Sequence, residues 1–167
     1  MTRLTLQVNC YTHLLICLEL FPLLRATAAI RGSPTRITFV GSDQHATKHT
    51  LEKSPIPSNQ SILAHFDDPT TFHKLFRYAD SKLLVNAYCR RLATIAPSEV
   101  VVNNACPGLV QTGLDKNLPC GFKTLMGLAR KAMARTVEEG ARLLVYASAV
   151  AGVETNGMFI QNNKAGR

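Results

Sequence analysis

With 167 residues, 46% of them hydrophobic and 18% charged, the chain is long enough for one domain with its own core and too apolar for a disordered segment. The formal charge of +8 would suit a polyanion, but the Lys and Arg residues are scattered, with no basic block and no interleaved aromatic platform, so nucleic acid is not the expected partner. Five cysteines (Cys10, Cys17, Cys89, Cys106, Cys120) without a C-x-x-C pair argue against a disulfide framework and a structural zinc site, and point to a reducing, cytoplasmic setting.

Met1-Thr2-Arg3, the run Leu14 to Leu18 and Ala26-Thr27-Ala28-Ala29 imitate a secretory signal. Asn9, His13 and Glu19 interrupt the apolar run, and Pro22 lies inside it. The stretch reads as too short and too broken for a membrane span of about 20 apolar residues. Leu6, Tyr11, Leu14, Leu15, Leu18 and Phe21 recur at helical spacing, which predicts a buried helix from about Thr5 to Leu24, packed on a sheet. Gly32-Ser33-Pro34 breaks the chain, and Arg36 to Gly41 reads as a short buried strand with Ser42 at its carboxyl end. In open α/β sheets that end of a strand is where ligands bind.

Residues 43–67 are polar and rich in turn formers, a long surface loop of the kind that is usually functional or mobile. Asp67-Asp68-Pro69-Thr70 marks a helix start, and Phe72, Leu75, Tyr78, Leu83, Leu84, Ala87 and Leu92 carry the helix to about Ala93. Glu99 to Ala105 is a second strand, closed by Cys106-Pro107-Gly108. A basic amphipathic run follows from Phe122 to Arg135, then a helix opening at Thr136 with Glu139 at capping-box spacing and reaching about Val150. Gly157 to Gln161 is a final short strand. The alternation of helix and strand predicts an α/β fold with a parallel sheet.

Tyr78 and Lys82 lie four residues apart, on one face of the helix and about 6 Å apart along its axis. An ammonium beside a phenol stabilises the phenolate and draws the tyrosine pKa down from about 10, as general acid–base chemistry requires. By itself the spacing is also that of an ordinary solvated helix face. Cys106 beside Pro107 has no partner base in view and reads as a small inert hydrophobe.

Four segments in order now match one family: Leu6-Gln7-Val8-Asn9, Ile37 to Ser42, Tyr78-Ala79-Asp80-Ser81-Lys82-Leu83, and Cys106-Pro107-Gly108-Leu109-Val110-Gln111-Thr112. Together they resemble the carboxyl-terminal two-thirds of a short-chain dehydrogenase/reductase. The long separation of Ser42 from Tyr78 is similar to the retinol-dehydrogenase-like branch, which includes reductases that tailor fungal natural products. The resemblance implies an incomplete Rossmann-type, doubly wound parallel sheet, with residues 1–167 forming a single partial domain. It implies Tyr78 as general acid or base, and Lys82 as the residue that lowers the Tyr78 pKa and binds the nicotinamide ribose. Ser42 would hold the substrate oxygen, and Asn9 would anchor a water chain that resupplies the proton through Lys82. Pro107, Gly108, Val110 and Thr112 would line the nicotinamide side. The implied cofactor is NADP(H), with NAD(H) as the alternative, and the substrate is a small or medium apolar molecule. Leu114, Leu118, Phe122, Leu125 and Met126 are the expected pocket lining.

The sequence departs from the family in one respect: it contains no T-G-x-x-x-G-x-G turn to cradle a pyrophosphate. Asn103-Asn104-Ala105 is similar to the family's Asn-Asn-Ala-Gly turn but lies on the wrong strand. The expected organisation is therefore a domain lacking its amino-terminal dinucleotide-binding segment, with an uncovered sheet edge. A homo-oligomer or a complementing chain would be the partner at that edge. The competing reading is a non-catalytic remnant acting through association, and a third is an isomerase or cyclase that keeps Tyr78 and Lys82 but not the redox step.

Overall fold

The computed structural model describes residues 2–47, 49–112, 134–162 and 164–166. The first helical stretch comprises α1 (Thr2–Leu6), a π-helical segment (Gln7–Tyr11) and α2 (Thr12–Arg31). It ends where Gly32 takes the left-handed conformation (φ 63°) and its N–H reaches the Ala28 carbonyl. β1 (Thr35–Val40) follows, then α3 (Ile62–Asp67), α4 (Arg77–Ile95), β2 (Val100–Cys106), α5 (Val137–Val145), β3 (Phe159–Gln161) and β4 (Lys164–Gly166).

The strand order is β1-β2-β3-β4. β1 runs parallel to β2 in the register Thr35↔Val100 to Val40↔Ala105, and β3 runs parallel to β2 on its other side. β4, absent from the hydrophobic pattern, adds antiparallel to β3 through Phe159↔Gly166. Every residue of β2 is buried, as a central strand covered on both faces should be. Val100 and Val102 pack with Leu6, Cys10, Cys17, Leu84, Cys89 and Leu92 on the face covered by the first helical stretch and α4. Ala105 and Ile160 pack with Leu143 and Ala147 on the face covered by α5. Helices on both faces of a parallel sheet make this a partial Rossmann-type, doubly wound arrangement. β1 is an edge strand among the described residues.

Three expectations need correction. The amino-terminal helix is neither short nor buried: Leu4–Arg31 is a 28-residue stretch, long and apolar enough to cross a membrane, with 11% of its most apolar window buried. Core helices and signal sequences meet the same length and composition, so this assigns no location, but length no longer excludes a span. Apolar residues all round the helix exceed what one sheet face can cover, which leaves Leu15, Ile16, Leu23 and Ile30 exposed. Second, α4 starts at Arg77, because Asp68 spends its capping oxygen on the 3₁₀ turn Pro69–Thr71, accepting from Thr70 N at 2.8 Å. Third, residues 43–67 are not one structureless loop; Ser61 caps α3 by accepting from Ala64 N at 3.1 Å. The predicted pocket lining, and the run Phe122 to Arg135 up to Met133, lie outside the described residues.

Candidate active site

The carboxyl ends of β1 and β2 lie side by side, and α4 crosses beside them. Gly41 leaves β1 with its N–H on the Ala105 carbonyl at 2.8 Å, so the sheet pairing runs up to Ser42. A side chain at position 41 would not fit: a Cβ there would stand 2.2 Å from Asn104 Oδ1. Ser42 is extended (φ −157°, ψ 144°) and caps the 3₁₀ turn Asp43–Ala46, its Oγ accepting from Gln44 N at 3.3 Å. His45 Nδ1 meets the Ser42 carbonyl at 2.7 Å, a contact that requires the proton on Nδ1.

Tyr78, in the first turn of α4, is 39% exposed, and the Ser42 side chain lies near enough to its phenol to influence its pKa, while Ser42 Oγ donates to Asp43 Oδ1 at 3.4 Å. Burial pushes the Tyr78 pKa above 10, the Ser42 side chain works against that rise, and Cys106 and Asp43 add to it. Lys82 does not act as the spacing alone suggests. Its Nζ is 5.6 Å from the centre of the Tyr78 ring and donates to the Val40 carbonyl at 2.9 Å. The expected depression of the phenol pKa is therefore absent; desolvation wins, and the direction is upward. Desolvation also lowers the Lys82 pKa, against the thiols of Cys106 and Cys10, which raise it.

Asn9 belongs to the π-helical segment, a widened turn of the kind common at functional sites. Its Nδ2 donates to Ser81 Oγ at 3.1 Å, and that hydroxyl donates to the Tyr78 carbonyl at 2.7 Å. The structure thus ties Asn9 to the backbone of Tyr78 through Ser81. On the β2 side, Pro107 is partly buried and Gly108 is left-handed (φ 79°), a conformation that favours glycine. Val110 pairs with Arg135 as a parallel bridge and packs so tightly on Gly140 that a Cβ there would lie 2.6 Å from Val110 Cγ2. Thr112 donates its N–H to the Val110 carbonyl at 2.8 Å.

Ser42, Tyr78 and Lys82 are therefore brought together at the strand ends, with Asn9 joined from behind and the Pro107–Thr112 turn alongside. The cavity of about 350 Å³ lined by Arg135, Glu139, Arg142, Leu143 and Asn162 includes none of the three.

Sequence reasoning gave Cys106 no part beyond filling space. Its sulfur accepts from Asp43 N at 3.2 Å and Gly108 N at 3.4 Å, joining the turn after Ser42 to the Pro107–Gly108 turn. Burial raises its pKa, so it acts as a neutral thiol. Asp80, fully buried, was also missed. A carboxylate in the first turn of an otherwise apolar helix face was the signal available.

A hydroxyl, a phenol and an amine thus lie at the carboxyl end of a parallel sheet, the place where open α/β folds bind their ligands. No protein-family model matches the chain. Curated relatives do: it is 66% identical to the short chain dehydrogenase sor7 of Hypocrea jecorina over 96% of its length and 45% of the relative's. It is 43% identical to a short chain dehydrogenase of Arthrobotrys oligospora (95% of this chain, 49% of the relative). It is 38% identical to the short-chain dehydrogenase/reductase tropG of Talaromyces stipitatus (93% and 47%). The chain belongs to the short-chain dehydrogenase/reductase family, and it spans about half the length of the curated relatives it matches.

Proposed function

We propose that this chain carries the proton-transfer end of a nicotinamide-dependent carbonyl reductase or alcohol dehydrogenase. The observation that carries the reading is the grouping at the end of β1, where Lys82 Nζ donates to the Val40 carbonyl at 2.9 Å and stands 5.6 Å from the Tyr78 ring centre, with Ser42 two residues beyond Val40. The residues present fit the nicotinamide-ribose end of a dinucleotide. Lys82 spends one N–H on Val40, which leaves two of its three donor positions for ribose hydroxyls, and the left-handed Gly108 and the Pro107–Thr112 turn border the same strand ends. Nothing comparable is available for the pyrophosphate, since the sequence has no glycine-rich turn.

A dihydronicotinamide held at the strand ends by Lys82 and the Pro107–Thr112 turn would supply the hydride for the carbonyl carbon. Ser42 holds the carbonyl oxygen by donating a hydrogen bond where negative charge develops. Tyr78 then gives its phenolic proton to that oxygen, and the substrate leaves as the alcohol. Lys82 holds the end of β1 through the Val40 carbonyl and would hold the ribose with its remaining donors. NADP(H), rather than NAD(H), and a small or medium apolar substrate of natural-product biosynthesis follow from the branch resemblance.

Titration of the purified chain with NADPH and NADH, followed by fluorescence, tests this reading, with NADPH consumption against a panel of apolar aldehydes and ketones as the second arm. Binding that weakens in Lys82→Met supports it. No binding of either nucleotide at about millimolar concentration leaves it without foundation.

A second reading, association without catalysis, is favoured by the position of β1 at the sheet edge among the described residues and by the exposed Leu15, Ile16, Leu23 and Ile30. Light scattering on the purified chain decides it. A well-folded monomer that binds no protein partner would count against association.

A further inference from the structure

Arg77 and Asp80 flank Tyr78 on α4 and are among the most buried side chains described, at 2% and 0% exposed. Neither has a part in the chemistry above. The Arg77 guanidinium lies between two rings, 4.9 Å from the centre of Phe66 and 5.1 Å from that of Phe72, and its Nη2 donates to the Thr71 carbonyl at 3.4 Å. Its Nη1 stands 3.8 Å from Asp80 Oδ2. The other carboxylate oxygen, Asp80 Oδ1, accepts both the N–H (2.7 Å) and the Oγ1–H (2.9 Å) of Thr50.

Two segments remote in sequence are thus fixed to one turn of α4. Thr50 belongs to the stretch that follows Ser42, whose 3₁₀ turn, Asp43–Ala46, packs along α4. Thr71 and Phe72 belong to the stretch that leads into the helix. The ion pair itself is long at 3.8 Å and stabilises little, and it is the two hydrogen bonds from Thr50 to Asp80 Oδ1 that fix the geometry. Here that geometry sets the rotation of the turn that bears Tyr78 relative to the segment that bears Ser42.

Resting on the proposed function, we infer that Asp80, held by Arg77, is a positioning residue: it clamps the segment after Ser42 through Thr50 and so holds the serine side chain on the side of α4 that bears Tyr78. Asn9 and Ser81 anchor the same turn from its other side.

The test uses the full chain with ¹³C-labelled tyrosine rings and needs neither cofactor nor substrate. The Tyr78 resonance is assigned by its loss in Tyr78→Phe, and Ser42→Ala gives its position when the serine hydroxyl is gone. Asp80→Ala is expected to move the resonance in that same direction and to speed exchange of the Thr50 amide by about tenfold or more. Asp80→Asn, whose Oδ1 still accepts from Thr50, is expected to return both towards the wild-type values. Thr50→Val, at a half-buried position, carries the test if Asp80→Ala does not fold, with a smaller shift in the same direction expected. A Tyr78 resonance unmoved by Asp80→Ala and Thr50→Val, while Ser42→Ala moves it, overturns the positioning role and leaves the proposed function standing. Should Ser42→Ala itself leave Tyr78 unmoved, the proximity of serine and phenol under both readings is gone.

Discussion

Lys82 sets its ammonium 2.9 Å from the carbonyl oxygen of Val40, on the last residue of β1. The amine thereby joins α4 to the strand end, and the Tyr78 phenol is left to burial, which raises its pKa above 10. A phenol so placed stays protonated through neutral pH and is ready to act as an acid. Carbonyl reduction is expected to hold level across neutrality and to fall as pH rises through the raised pKa, whereas alcohol oxidation, which needs the phenolate, should rise over that range. Paired pH–rate profiles check this. A reduction rate already falling between about pH 6 and pH 8 would contradict it.

Substitutions at the site should separate chemistry from folding. Tyr78→Phe removes the proton donor and is expected to lower carbonyl reduction by about 10²–10⁴-fold. Ser42→Ala removes the donor at the developing oxyanion, at a cost of about 10²–10³-fold. Lys82→Met loses a hydrogen bond from a charged group and is expected to weaken cofactor binding by about tenfold to a hundredfold. Tyr78 is 39% exposed and Ser42 is partly exposed, so circular dichroism should show the fold intact in both variants. Steady-state kinetics supply the comparison.

The strands were legible because β-branched runs such as Val100 to Val102 are bounded by turn formers, and the capping box at Thr136 was legible because it is local. The grouping of Ser42, Tyr78 and Lys82 followed from motif order. Periodicity failed where the outcome depended on distant partners. It marks Leu15 and Ile30 as apolar, but whether they are covered depends on what surrounds the helix, and Ile30 is 87% exposed. It could not show that Lys82 would turn to the Val40 carbonyl, or that Asp68 would cap a separate turn ahead of α4. β4 is too short to carry a pattern, since three residues give one alternation at most.

Gly41 offers a stability test next to the site. A methyl there would stand 2.2 Å from Oδ1 of Asn104, a fully buried side chain whose Nδ2 donates to Asn86 Oδ1 at 3.2 Å. Asn104 cannot move aside without breaking that bond, so Gly41→Ala is expected to cost about 1–3 kcal/mol as an overpacked core substitution. Urea unfolding measures the loss, and activity should fall with it because Ser42 is the next residue.

Thr136 accepts from Glu139 N at 3.2 Å while Glu139 Oε2 accepts from Thr136 N at 2.9 Å, satisfying two free donors at the start of α5. Thr136→Ala is expected to cost about 1 kcal/mol, and Thr136→Ser, which keeps the hydroxyl, should restore most of it. Comparing the two urea midpoints separates loss of the cap from loss of the methyl group. If Thr136→Ser proved as unstable as Thr136→Ala, the hydroxyl would not be the stabilising group.

The buried thiols give the last expectation. Cys10, Cys17, Cys89 and Cys106 are free, and burial pushes Cys10 and Cys89 up to about 12 and Cys17 to about 11, from an ordinary 9.0. Each thiol binds its proton more tightly in the folded chain than in the unfolded one. Its contribution to stability is therefore complete below the unfolded pKa near 9 and is lost as pH rises through the folded value. The unfolding free energy is expected to decline between about pH 9 and pH 12, and to decline less steeply in Cys89→Ala measured against its own value at pH 8. At pH 8 these thiols should react with a disulfide reagent only in denaturant, because neutral buried sulfur is a poor nucleophile. Fast modification of Cys10 or Cys89 in the folded chain would mean that the face formed by the first helical stretch and α4 opens far more readily than this packing allows.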